Sequence, residues 1–304
     1  MLAGLDRLLT ESPVFRELKD RLHLKQADEN ISIPEPSKAF LIGVLWRQLN
    51  VPILVVSPKP EEARRLYDTL QTYGSINEPI YHFSEADTLP FERLTRDTTT
   101  VHQRLQALAA LTGIHKKQRP ALVIASAPSL ALKTIEGKLL SRECHTIRKG
   151  DHVSMERLVS QWKAIGYSME RAAEVPGTMS RRGGILDIFA SGEPLPVRLE
   201  FWGEVVDSIR TYDPGTQRSL STVEQVQIIP ALEILPNKVD FNQVENKIRN
   251  LDFNKTSSDM VKRIEEEISL LTNGHEIEEL GFYGGFFNGN SIVDLLPKEG
   301  LLVL

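Results

Sequence analysis

Residues 51–58, VPILVVSP, are an unbroken apolar run closed by Ser-Pro. A strand with no polar face needs cover on both sides, and parallel sheets obtain that cover from helices. The flanking segments have the periodicity to supply it. KAFLIGVLWRQL, residues 38–49, is apolar enough for a mostly buried helix. KPEEARRLYDTLQTYG, residues 59–74, has a proline near its start, acids in its first turn and Gly74 at its end. PIYHFSE (79–85) predicts the next strand, residues 100–112 another helix, and PALVIASAPSLAL (120–132) a strand, a turn and a helix. This alternation predicts an α/β fold with a parallel sheet and helical crossovers. Ahead of it, Leu2, Leu5, Leu8 and Leu9 recur at helical spacing in residues 1–23.

The period changes near residue 146. GDHVSMERLVSQWKAIGY, residues 150–167, predicts a helix capped by Asp151 or Ser154. Beyond it the pattern becomes period two. Ile185, Asp187 and Phe189 share one face, with Leu186 and Ile188 on the other. Val197, Leu199 and Phe201 oppose Arg198, Glu200 and Trp202, and Trp-Gly-Glu at 202–204 can turn the chain into a second strand. A small antiparallel α+β domain with one wet face is expected over residues 146–232, inserted after a parallel-sheet domain over 1–145. In the remainder, 233–304, SDMVKRIEEEISLLTNG predicts a helix, and the aromatic, glycine-rich stretch 280–297 is expected to pack on a neighbouring domain. GLLVL, residues 300–304, reads as a buried strand at the start of a truncated domain.

With 304 residues, 41% of them hydrophobic, there is ample material for two or three cores. The net charge of −5 provides no global field for nucleic acid. Cys144 is the single cysteine, which excludes an internal disulfide and a Cys-rich zinc site and fits a cytoplasmic protein. The seven histidines show no ligand-spaced pair, and no metal is expected. No serine sits in a nucleophile elbow, so no catalytic residue is expected. No apolar run approaches the length of a membrane span, and the N-terminus lacks the pattern of a secretory signal.

Two patterns remain. ISIPEPSKAF, residues 31–40, fits the frame of a phosphate loop, G-x-x-x-x-G-K-S/T, when Lys38 is set on the lysine. The glycine positions then fall on Ser32 and Ser37, and the magnesium-binding hydroxyl on Ala39. Side chains at those positions resist the inward-turned backbone, and Pro34 and Pro36 each remove a donor. No nucleotide is expected there. The second pattern is Arg171, Arg181, Arg182, Arg198, Arg210 and Arg218, without a lysine between 171 and 220 and against seven acids. A DNA footprint would be net positive and carry lysines. The mixture leaves two readings open, a protein-binding face rich in arginine forks or surface ion pairs of little consequence.

The run PGTMSRRGGILDIFASGEPLPVRLEFWGEVVDSIRTYDPGTQRSL, residues 176–220, closely resembles the module shared by the excision-repair helicase UvrB and the transcription-repair coupling factors. YHFSEADTLPFERLTRD (81–97) and VHQRLQALAAL (101–111) are similar to the coupling factors rather than to UvrB, whose tyrosine-rich insertion has no equivalent here. The resemblance implies a RecA/helicase-like domain 1a with a degenerate P-loop at Ser32, Ser37, Lys38 and Ala39. It also implies an inserted domain that binds UvrA, and the truncated start of domain 1b. It implies partner-binding roles for Arg182, Arg198 and Glu200. A further arginine of the family pattern falls on Met169, with Arg171 two residues later as a substitute, and one found in UvrB falls on Ser180. The resemblance places ATP, magnesium, DNA translocation and RNA polymerase binding in domains outside this chain, and implies that the C-terminal part of the full-length chain masks the UvrA-binding face. The expected function is thus recruitment of UvrA to a stalled RNA polymerase. A UvrB-like helicase piece and a DNA-binding module using Lys116, Lys117 and Arg119 are the alternatives.

Overall fold

The structure is a computed structural model and describes residues 3–24, 29–73, 78–86, 97–114, 119–273, 275 and 277–304. The strands are β1 (Ile53–Ser57), β2 (Ile80–Phe83), β3 (Leu122–Ser126), β4 (His145–Arg148), β5 (Ser168–Met169), β6 (Thr178–Arg182), β7 (Ile185–Phe189), β8 (Val197–Trp202), β9 (Val205–Tyr212), β10 (Ser219–Thr222), β11 (Gln225–Ile228) and β12 (Leu301–Val303). The chain divides into two compact units. One comprises Met1–Ser84, Ala110–Ser129 and Leu296–Leu304, the other Glu85–Ala109 and Leu130–Leu295.

The first unit holds a parallel four-stranded sheet in the order β12-β1-β3-β2. Every residue of β1 and β3 is buried, as an unbroken apolar run requires. The helices Lys38–Leu49 and Pro60–Tyr73 contribute Ile42, Trp46, Ala63 and Leu70 to the same core. Trp46 is fully buried, and its Nε1–H donates to the Pro120 carbonyl at 2.8 Å. Asn50 closes the first of these helices in the left-handed conformation, φ 53°. The end of the second, Gly74, lies outside the described residues. β12 is less buried than its sequence suggests. It lies at the sheet edge beside β1, and Leu302 is exposed.

The second unit is built on a six-stranded sheet, β10-β9-β8-β7-β6-β5, antiparallel except for the short β5–β6 pair. Its inner face carries Met179, Leu186, Ile188, Val197, Leu199, Val206 and Ile209. These pack with Leu158 and Trp162 of the helix Met155–Ala164 and with Ile147, Val226 and Ile228 of the two-stranded β4–β11 ladder. Ser154, not Asp151, caps that helix, with its hydroxyl accepting from the Arg157 N–H. Asp151 instead accepts from the Arg148 N–H and closes the preceding turn. The aromatic stretch 280–297 divides: Asn290 pairs with Thr134, within the residues expected to form the first domain, while its aromatic part finds local cover. Tyr283 and Phe287 pack inside this unit against Val244, Ile248, Ile264, Ile268 and Leu271, because the helices Phe241–Arg249 and Ser258–Thr272 present apolar faces that need local cover.

A buried polar hub ties distant segments of this unit together. Arg104 donates to both carboxylate oxygens of Glu233, at 2.6 and 3.1 Å, and each side chain is 2% exposed. Thr134 donates to the same carboxylate, and the Asn288 amide donates to the Glu233 carbonyl.

Candidate functional site

Two of the tight turns lie at one end of the six-stranded sheet. Gly183-Gly184 joins β6 to β7, and Gly203-Glu204 joins β8 to β9. Each loop has two residues and begins with a left-handed glycine, Gly183 at φ 57° and Gly203 at φ 63°. Such loops match the twist of the strands they join, and their first position tolerates few side chains. The register sets Ile185 beside both Arg182 and Glu200, so the two turns project together. A bulge after Glu200 shifts the β8–β9 register and carries Trp202 to the tip, where it is 84% exposed.

The outer face of the sheet, away from the apolar cluster, carries the row Ser180, Asp187, Arg198 and Arg210 across β6 to β9. The next row toward the turns is Arg182, Ile185, Glu200 and Ser208. Arg198 is engaged from several sides. Its Nε and Nη2 donate to the two oxygens of Asp187, both at 2.8 Å, and Nη2 also donates to Gln217 Oε1 at 3.4 Å. Its guanidinium lies 4.7 Å from the Tyr212 ring centroid. Hydrogen bonding to Asp187 holds the Arg198 pKa above the usual arginine value. Glu200 accepts from the Ser208 hydroxyl at 2.6 Å and pairs with Arg210 at 3.3 Å. Arg182 is exposed, with Nη2 donating to the Arg171 carbonyl at 3.3 Å, and Arg171 is exposed beside it. Arg181 points to the helix side and pairs with Glu156. Ser180 is buried, and its Oγ has no hydrogen-bond partner.

The sheet therefore brings Arg171, Arg182, Arg198 and Glu200 to one outer face, and they differ in availability. Arg182 and Arg171 face outward, whereas Arg198 is committed within the chain. Sequence reasoning placed Trp202 on this face without assigning it a role. Its signal was an aromatic residue at a polar-face position next to a glycine turn. It also gave no role to Asp187, Tyr212 or Gln217.

The loop at 31–37 is distant in sequence and separate in chemistry. Residues 29–34 form no strand, and Glu35–Ser37 is a single 3-10 turn before the helix Lys38–Leu49. The Ser37 N–H donates to the Pro34 carbonyl and the Lys38 N–H to the Glu35 carbonyl, so both amides are used within the turn. Lys38 pairs with Glu35, Ser32 is exposed, and Ala39 is buried in the core. Among the described residues no group of three or more His, Cys, Asp or Glu side chains could hold a metal ion. No helix among them is long and apolar enough to cross a membrane.

Residues 146–233 match the UvrB interaction domain family, a span that covers the six-stranded sheet and its helix. The chain is 28% identical to a transcription-repair-coupling factor of Myxococcus xanthus over 73% of its own length and 19% of the relative's. It is 26% identical to that of Haemophilus influenzae over 87% of its length and 22% of the relative's. The chain is similar to transcription-repair-coupling factors. A UvrABC system protein B from Pseudothermotoga lettingae also matches, 25% identical over 72% of this chain and 35% of that protein. The chain spans about a fifth of the length of the coupling factors it matches. The matched domain contains Arg171, Arg182, Arg198, Glu200 and Trp202, and excludes the loop at 31–37.

Proposed function

We propose that this chain is the UvrA-recruiting module of a transcription-repair coupling factor, which delivers excision repair to a stalled RNA polymerase. The observation that carries the reading is the match of the UvrB interaction domain to the one sheet whose outer end presents Arg182, Arg171 and Trp202 together. An exposed tryptophan flanked by arginines is the composition of an interface hot spot. The guanidinium forks suit acidic side chains on UvrA. ATP-driven DNA translocation and polymerase binding belong, on this reading, to the rest of a longer protein, and the C-terminal part of that protein covers this face until it is needed.

The loop at 31–37 is proposed to be a phosphate loop that has lost its function, and no catalysis is assigned to the chain. Its used amides, paired lysine and buried alanine support this. ATP turnover no higher than that of a Lys38→Ala variant is expected. For the DNA-binding alternative, Lys116 and Lys117 lie outside the described residues. The Arg119 guanidinium lies over the Trp46 ring and donates to the Arg47 carbonyl. The deciding experiment is direct binding to bacterial UvrA. Wild type should bind, and Arg182→Ala and Trp202→Ala should each lose about tenfold or more in affinity. A folded wild-type chain that does not bind UvrA would reject the reading.

A further inference from the structure

We infer that Ser208 is a positioning residue of the recruitment face, holding the Glu200 carboxylate by one oxygen and leaving the other open to the partner. The inference rests on the recruitment reading, in which Glu200 meets UvrA, and deepens it. The Ser208 hydroxyl donates to Glu200 Oε2 at 2.6 Å, and Arg210 Nη2 lies 3.3 Å from the same oxygen. Oε1 receives no hydrogen bond among the described residues, and it is not one of the buried unpaired atoms. The Glu200 side chain is 31% exposed. An ionised carboxylate accepts at both oxygens, so Oε1 remains as a fixed acceptor for an N–H donor of the partner. Its row on the sheet also holds the exposed Arg182.

The backbone of β9 is bent to make this contact. Val206 and Ile209 both belong to the apolar cluster, although they lie three positions apart on one strand. In an unbroken strand such residues face opposite sides. The bulge absorbs the extra residue, Asp207, because Phe201 pairs with Val206 while Glu200 pairs with Ser208. That shift sets Ser208 on the outer face directly across from Glu200. Ser208 is buried, so water competes little for its hydroxyl, whereas the Arg210 side chain is 43% exposed. Without the hydroxyl, nothing but Arg210 holds the carboxylate, and its fork can take both oxygens. The acceptor needed by the partner would then be closed within the chain. Binding is weaker when an interface must first reorder its own groups, so the hydroxyl raises affinity without itself making a contact.

The test measures UvrA binding by wild type, Ser208→Ala, Ser208→Thr, Glu200→Ala and the double variant Ser208→Ala/Glu200→Ala, with Arg182→Ala as the contact control. Ser208→Ala should weaken binding about threefold or more, the cost of ordering one side chain. Ser208→Thr keeps the hydroxyl and should bind close to wild type. Glu200→Ala should lose more than Ser208→Ala. On the Glu200→Ala background, Ser208→Ala should cost nothing further, because Ser208 acts only through that carboxylate. Wild-type affinity in Ser208→Ala overturns the inference. An equal loss on both backgrounds also overturns it, since that marks a general effect on the sheet. If Ser208→Ala does not fold, Ser208→Thr against Ser208→Val decides, because the two differ only in a hydroxyl for a methyl, and equal affinities reject the inference. Failure of every chain to bind removes the recruitment reading and this inference with it. A response confined to Arg182→Ala removes only the inference.

Discussion

Arg104 and Glu233 are 129 positions apart and form a bidentate pair at 2.6 and 3.1 Å with both side chains 2% exposed. Removing one partner strands the other charge in the interior. Arg104→Ala should destabilise the second unit by about 3–5 kcal/mol, and Glu233→Ala should do much the same, as read by urea unfolding. The double replacement by apolar residues of similar volume should recover most of that loss. Gly183 offers a different residue-scale test. A Cβ there meets no atom within 4 Å, but the backbone sits at φ 57°. Gly183→Ala should therefore cost about 1–2 kcal/mol from conformation alone. Arg182, next to it, should still be exposed.

The helix Met155–Ala164 and strand β4 meet through one hydrogen bond, from the Trp162 indole N–H to His145 Nε2 at 2.9 Å. That nitrogen must be unprotonated to accept. Burial holds the His145 pKa below its ordinary value of 6.5, against smaller opposing effects from Glu143. His102 is lowered in the same way by burial, and its Nδ1 lies 2.8 Å from the Ser191 hydroxyl. Because the unfolded state binds these protons more readily, their contribution to stability is fully present above pH 6.5 and is lost as pH falls toward the lower folded values. Unfolding midpoints should be flat above neutrality with respect to these two groups and fall through the mildly acidic range. Substitution of His145 should reduce that slope, and Trp162 fluorescence should report the same transition. At the same scale, Ser154→Ala removes the cap bond to the Arg157 N–H and should cost about 1 kcal/mol. Cys144 has its thiol pushed up to about 12 by burial, so alkylating reagents should react with it slowly at neutral pH.

On the scale of the whole molecule, the apolar cluster beneath the six-stranded sheet draws all its buried members from residues 147–231. A segment with its own complete core can fold alone. Residues 146–233 expressed by themselves should therefore show a single cooperative unfolding transition by circular dichroism. Glu233, then the terminal residue and without Arg104, Thr134 and Asn288, would be open to water, so Glu233→Gln should be near neutral in the isolated segment while destabilising the full chain. A loss confined to the full chain would show that the hub serves the larger unit.

Hydrophobic period alone determined the two classes of sheet in this chain. An unbroken run such as 53–57 has to be covered on both faces, and the alternation in 197–202 has to expose one, so parallel and antiparallel strands are separable by eye. The same alternation put Arg198 and Glu200 on the outer face. Tertiary structure decided what period cannot carry. Alternation assigns a side chain to a face but not to a partner, and only the register set Asp187 against Arg198 while leaving Arg182 open. It also turned GLLVL into an edge strand, since burial depends on neighbours on both sides of a strand. Finally, it joined Arg104 to Glu233, because an ion pair across 129 positions leaves no trace in local pattern and forms only where the folded chain excludes water from both groups.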